Sequence, residues 1–146
     1  MLDIFLLKGY YMSITEYSNK KEVFYLGLLT IIKALSHENR LRILNLINQQ
    51  ELCVCEIETI MGVTQSNASR HLNKLNQANI IYGKKKAQWV YYHLNQDTLE
   101  RYPFISLIIN KELQKIKICQ EDNKRLKEYL ESEFTCKDLS SKNPFK

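Results

Sequence analysis

The segment from Cys55 to Leu94 constrains the fold of this chain more than any other. Cys55-Glu56-Ile57-Glu58-Thr59-Ile60-Met61 is helical in pattern but too short to stand alone. After Gly62-Val63-Thr64 comes a second run, from Gln65 to about Gln77, in which Ala68, Leu72 and Leu75 fall on one helical face. A short helix, a turn holding a glycine and a second helix form a helix-turn-helix, with Thr64 or Ser66 available as the capping oxygen. Ile80-Ile81-Tyr82 and Trp89-Val90-Tyr91-Tyr92-His93-Leu94 are rich in β-branched and aromatic residues. The polar Gly83-Lys84-Lys85-Lys86-Ala87-Gln88 lies between them, so the stretch reads as a β-hairpin with a basic tip. Directly behind a helix-turn-helix, such a hairpin is a wing.

The rest of the chain reads as helix. With only 4 Gly and 2 Pro in 146 residues there is little punctuation for a many-stranded fold. Phe24, Leu28, Ile31 and Leu35 recur at helical spacing between Glu22 and Leu35, and Leu41, Leu44 and Ile47 do so in the next helix. Pro103 is tolerated in a first helical turn. Ile105, Ile108, Ile109, Leu113 and Ile116 then make one stripe of a long final helix, for which a small domain has no core left. A second subunit is the expected cover. The fold class is thus mainly α with a small β-hairpin, a winged helix-turn-helix that dimerises through its first and last helices. Residues 1–21 read as an N-terminal extension, 22–131 as the winged domain with its dimerisation helices, and 132–146 as a tail. Met12 is the expected native start, with residues 1–11 adding nothing.

The formal charge of +5 is concentrated. From Thr59 to Gln96 there is no Asp or Glu, while Arg70, Lys74, Lys84, Lys85 and Lys86 all fall there; the remainder is balanced. This is the electrostatic footprint of a polyanion, most simply nucleic-acid phosphates. Gln65, Ser66, Asn67, Ser69, Arg70, His71 and Lys74 are the helix side chains left to meet phosphates and base edges, and Lys84, Lys85 and Lys86 would reach the flanking backbone. His37 and His93 read as satisfied polar side chains, and Trp89, Tyr91 and Tyr92 as packing between wing and body. The apolar start, Met1 to Lys8, is short, interrupted by Asp3 and without a basic leader, and no stretch approaches membrane-spanning length. The expectation is a cytoplasmic protein with no membrane partner, its thiols reduced.

Glu51-Leu52-Cys53-Val54-Cys55-Glu56-Ile57, then Gln65-Ser66-Asn67-Ala68-Ser69-Arg70-His71-Leu72, then Trp89-Val90-Tyr91-Tyr92 resemble the arsenic-responsive repressor family, ArsR/SmtB. The likeness covers roughly Leu35 to Leu94. It implies a homodimeric repressor that sits on double-stranded operator DNA and leaves it when As(III), Sb(III) or a soft divalent ion binds Cys53 and Cys55. Departures from the family leave the ion open. Where the arsenic sensors carry a third cysteine this chain has Glu58, no cysteine precedes Cys53, and no histidine lies between Pro103 and Lys127. Cys119 or Cys136 could complete a trithiolate, within or across subunits; Cys119 is preferred because a long helix positions a ligand better than a tail. All four thiols together would suit Cd(II), Pb(II) or Zn(II).

Cys53 and Cys55 would project about 200° apart within a helix, so ion binding is expected to reshape that segment and disturb the recognition helix behind it. A thiol-redox repressor is the alternative within regulation, and packing as small hydrophobes is the bland reading of the cysteines. The chain has no Cys-x-x-Cys pair, phosphate-cradling glycine loop or nucleophile–base arrangement, so an enzyme or a metal carrier is not expected.

Overall fold

The computed structural model describes residues 5–7, 10–12, 14–134 and 138. Two compact units divide the chain, residues 1–33 and 34–146. In the first, β1 (Phe5–Leu7) pairs antiparallel with β2 (Tyr10–Met12), Leu6 opposite Tyr11. Helix α1 (Ile14–Leu35) begins well before the expected Glu22. Val23, Phe24, Tyr25, Leu26 and Ile32 on it are exposed.

The second unit is built round α2 (Glu38–Gln49), which is buried from Arg42 to Ile47. His37 caps it, Nδ1 accepting the Asn39 N–H at 3.2 Å, so this histidine is satisfied as expected. Then follow β3 (Leu52–Cys53), α3 (Val54–Met61) and α4 (Gln65–Gln77). Between the two helices Gly62 takes the left-handed φ of 67° that closes α3, a conformation costly for a residue with a Cβ. Thr64 caps α4, its Oγ1 accepting the Asn67 N–H at 3.2 Å. Ala68, Leu72 and Leu75 are fully buried, as their spacing requires.

The hairpin strands β4 (Ile81–Lys86) and β5 (Trp89–Leu94) are longer than the sequence suggests. Lys86 pairs with Trp89, leaving only Ala87-Gln88 as the turn, with Ala87 at a φ of 55°. The three lysines therefore lie along a strand instead of in a loose tip. A third strand joins them: β3 pairs antiparallel with β5, Leu52 opposite Tyr92 and Cys53 opposite Tyr91, giving the order β3-β5-β4. Two residues are too few to carry an alternating pattern, so periodicity alone does not reveal β3. A Cβ at Gly83 would stand 2.7 Å from Val90 Cγ1, which explains glycine in mid-strand.

After α5 (Gln96–Arg101), the expected continuous final helix is broken. It starts as α6 (Phe104–Leu107), widens into a π turn over Ile108–Glu112, tightens into a 3₁₀ turn over Leu113–Lys115, and stops at Ile116, whose backbone is extended. Side chains intercept the helical carbonyls: Gln114 Nε2 donates to Ile109 O at 3.0 Å, and Gln120 Nε2 to Gln114 O at 2.9 Å. Helix α7 (Lys117–Glu131) then packs against α2 and α3. This corrects the expected apolar stripe as well. Ile105, Ile109 and Leu113 are buried by the chain itself, while Leu107 and Ile116 remain exposed.

Candidate functional site

Cys53 ends β3 and also caps α3, with extended backbone at φ −88° and ψ 170°, while Cys55 lies inside the first turn of α3. Because Cys53 is outside the helix, the 200° divergence does not apply, and the two Sγ atoms stand 2.9 Å apart. The premise of the expected reshaping, that both cysteines belong to one helix and diverge, is thereby corrected: the sulfurs already face one another. Cys53 is buried and Cys55 half-buried. Two adjacent thiols with one open to solvent suit a soft ion that exchanges its ligands for sulfur.

Glu56, three residues after the cap, holds this geometry. Its Oε2 accepts the Cys53 N–H at 2.8 Å, and its Oε1 accepts the hydroxyl of Tyr129, from α7, at 2.7 Å. The Glu56 half was readable as the cap-to-third-residue spacing of a capping box. Tyr129, far along the chain, left no such signal. Glu51, just before β3, ion-pairs with Lys86 and lies 3.2 Å from His93 Nε2. The Lys86 ammonium holds the Glu51 carboxyl below its ordinary range, and Lys86 Nζ also sits 5.3 Å from the Tyr91 ring centre.

Cys119 is not brought to this pair. It is buried on α7 with its carbonyl toward Asn45, and about 15 Å of helix rise separates it from Tyr129, the α7 residue that meets Glu56. Burial, with the Asp122 charge adding to it, pushes its thiol pKa up, away from the thiolate that binds ions. The preference for Cys119 as third donor within one chain therefore fails on position. Among the described residues no three His, Cys, Asp or Glu side chains are grouped to hold a metal ion. Cys136 lies outside the described residues.

On α4, Gln65, Ser66, Arg70 and Lys74 are exposed and Asn67 and Ser69 half-buried, as a reading surface requires. Asn73, which the sequence reading passed over, is exposed too, and the spacing of Ser66, Arg70 and Asn73 puts them on one face. Asn39 Nδ2 donates to Asn67 Oδ1 at 3.2 Å, tying this end of α4 to α2. His71 must be withdrawn from the candidate contacts. It is 3% exposed, its ring lies 4.2 Å from that of His37, and neither ring nitrogen has a hydrogen-bond partner. Burial lowers its pKa to about 4, helped by the charges of His37, Arg40 and Arg70. In the wing, Lys84 and Lys85 project from an exposed strand, whereas Lys86 is engaged by Glu51.

Residues 37–82 match the pattern of bacterial regulatory proteins of the arsR family. The solved structure of reduced HlyU from Vibrio cholerae is similar at 30% identity, over 62% of this chain and 93% of that one, with a TM-score of 0.53. This chain belongs to the ArsR family. Among its curated relatives, the arsenic resistance transcriptional regulator ArsR1 of Pseudomonas putida is 40% identical over 46% of this chain and 53% of its own length. The cadmium resistance transcriptional regulatory protein CadC of Listeria innocua is likewise 40% identical, over 42% of this chain and 53% of its own. The chain thus spans about half the length of the curated relatives it matches. As an ArsR-family chain it has the winged helix-turn-helix fold, and among the described residues no helix is long and apolar enough to cross a membrane.

Proposed function

We propose that this ArsR-family chain is a homodimeric repressor that binds double-stranded operator DNA through α4 and the β4–β5 wing. It leaves that DNA when As(III) or Sb(III) is chelated by Cys53 and Cys55. One observation carries the reading: the 2.9 Å approach of the two sulfurs at a junction shared by both DNA-reading parts. From that junction β3 runs into the ladder of β5, and α3 packs against α4. A tetrahedral zinc centre, with metal–sulfur bonds of about 2.3 Å, holds two sulfurs about 3.8 Å apart, and a pyramidal As(III) centre holds them somewhat closer than that. With an ion between them the two sulfurs can no longer touch, so chelation would spread the pair and act on strand and helix together. If the spread ligated state disfavours the DNA-bound arrangement, DNA must in turn weaken ion binding by the same factor.

Cd(II), Pb(II) or Zn(II) is the alternative inducer, which the name of the cadmium relative supports as much as that of the arsenic relative supports As(III). A third thiolate would then come from Cys136, or from Cys119 of a second subunit. The exposed apolar residues Val23, Phe24, Tyr25, Leu26 and Ile32 of α1 are proposed as one contribution to the homodimer, and Leu107 and Ile116 of the second unit, separately, as another. We read the chemistry as that of a sensor and not of an enzyme, because the carboxylate beside the thiol pair, that of Glu56, is committed to the Cys53 N–H and the Tyr129 hydroxyl.

Fluorescence anisotropy of labelled operator DNA tests this, titrating As(III), Sb(III), Cd(II), Pb(II) and Zn(II) into wild type and each Cys→Ser variant. Release by at least one ion is expected for wild type and not for Cys53→Ser or Cys55→Ser; a double Cys53→Ser/Cys55→Ser protein that still lets go normally refutes it. Charge removal in the wing gives a second expectation. Lys84→Ala and Lys85→Ala should each weaken binding to all sequences and reduce the salt slope by about 1. Lys86→Ala should do less, because Glu51 already engages that ammonium.

A further inference from the structure

Resting on the reading of Cys53 and Cys55 as the soft-ion site, we propose that Glu56 and Tyr129 are positioning residues for the sulfur pair, with Tyr129 a latch carried on the C-terminal helix. Both oxygens of the buried Glu56 carboxylate are committed, one to the Cys53 N–H at 2.8 Å and one to the Tyr129 hydroxyl at 2.7 Å. Two restraints from different elements leave the carboxylate one orientation. That orientation keeps Cys53 as an extended cap instead of the first residue of α3.

The difference decides whether the site can chelate. Drawn into the helix, Cys53 would point about 200° away from Cys55; held outside it, its sulfur lies 2.9 Å from its neighbour. The docking of α7 therefore sets the affinity for a soft ion, and a bound ion must strengthen that docking in return. The buried pair between Arg42 of α2 and Asp122 of α7, with Nε–Oδ2 at 2.7 Å, anchors the same face of that helix two turns before Tyr129. Tyr129 is thus presented from a fixed support.

Phenylarsine oxide is the probe, because its arsenic takes only two sulfurs and needs no third donor. Two As–S bonds form, and the oxygen leaves as water with the two thiol protons. Its dissociation constant is measured on the reduced full-length protein by competition with a small dithiol, beside melting temperature and operator affinity. Tyr129→Phe is expected to weaken binding about tenfold and Glu56→Ala by more, in the range of about 10–100-fold common for groups that orient ligands. Glu56→Gln should stay within about threefold of wild type, because its amide oxygen still accepts the Cys53 N–H. A general loss of structure would lower melting temperature and operator affinity and would not be rescued by glutamine.

The inference is overturned if Tyr129→Phe and Glu56→Ala bind the arsenical as tightly as wild type. It is equally overturned if Glu56→Gln is as weak as Glu56→Ala. Should Tyr129→Phe prove unstable, the Gln-against-Ala comparison at Glu56 decides alone. Tight binding by a Cys53→Ser/Cys55→Ser protein sinks the dithiol reading itself, and this inference with it.

Discussion

Asp122→Ala should lower the unfolding free energy by about 3–5 kcal/mol, the range found when one partner of a buried ion pair is removed. Asp122 is fully buried on α7 and accepts two hydrogen bonds from Arg42 of α2, Nε to Oδ2 at 2.7 Å and Nη2 to Oδ1 at 2.8 Å. Arg42 Nη2 also donates to the carbonyl of Met61, at the end of α3, at 3.1 Å. One guanidinium thus joins three helices, and deleting the carboxylate strands its charge where water cannot reach. The complementary change shows whether charge or packing dominates. Arg42→Met with Asp122→Leu should regain most of the loss, because an apolar pair of similar volume carries no desolvation penalty. It should not regain all of it, since the Met61 carbonyl loses its donor. Urea unfolding of the three proteins measures both effects; an Asp122→Ala protein within about 1 kcal/mol of wild type contradicts the assignment.

Acidification should cost the fold nearly as much through His71. The ordinary histidine pKa of 6.5 falls to about 4 in the folded state because burial excludes the charged form. A depressed folded value means that the unfolded chain binds the proton first. Stability from this group is complete above pH 6.5 and is lost as pH falls toward 4. At about 1.4 kcal/mol per pH unit the loss over that window is on the order of 2–3 kcal/mol. His71→Leu should flatten the stability–pH curve between pH 6.5 and 4, leaving the contribution of the carboxylates. Operator affinity should follow the same dependence, since a charged ring on α4 beside Arg40 and Arg70 would push the recognition helix off its seat. Equal slopes for wild type and His71→Leu would contradict this.

The winged architecture was legible because its signals are local. Ala68, Leu72 and Leu75 announce their helix by spacing alone, and Thr64 and Ser66 both offer a capping oxygen, of which the helix uses Thr64. The thiol pair was legible as chemistry but misjudged as geometry, since the step at which Cys53 leaves the strand and caps the helix has no period to detect. His71 misled for a different reason: its polar chemistry and its place after Arg70 were weighed above its spacing, three after Ala68 and four before Leu75, which already puts it on the inward face where it packs against His37. The course of the chain after Pro103 was least legible. Whether Ile109 and Leu113 cover their own core or a neighbour's depends on Gln114 and Gln120, whose side chains break the helix and let it fold back. Pairings across long separations, such as Arg42 with Asp122 and Glu56 with Tyr129, leave no trace in sequence at all.

The tight reversal at Ala87-Gln88 bears on how quickly and how faithfully the basic arm can meet a duplex. With no slack residues at its apex, the arm's backbone is ordered before any encounter, so docking forfeits little further chain freedom. The ladder likewise fixes Lys84 and Lys85 in advance, and as consecutive strand residues they project to opposite faces, so on the proposed reading the arm offers one ammonium on either side.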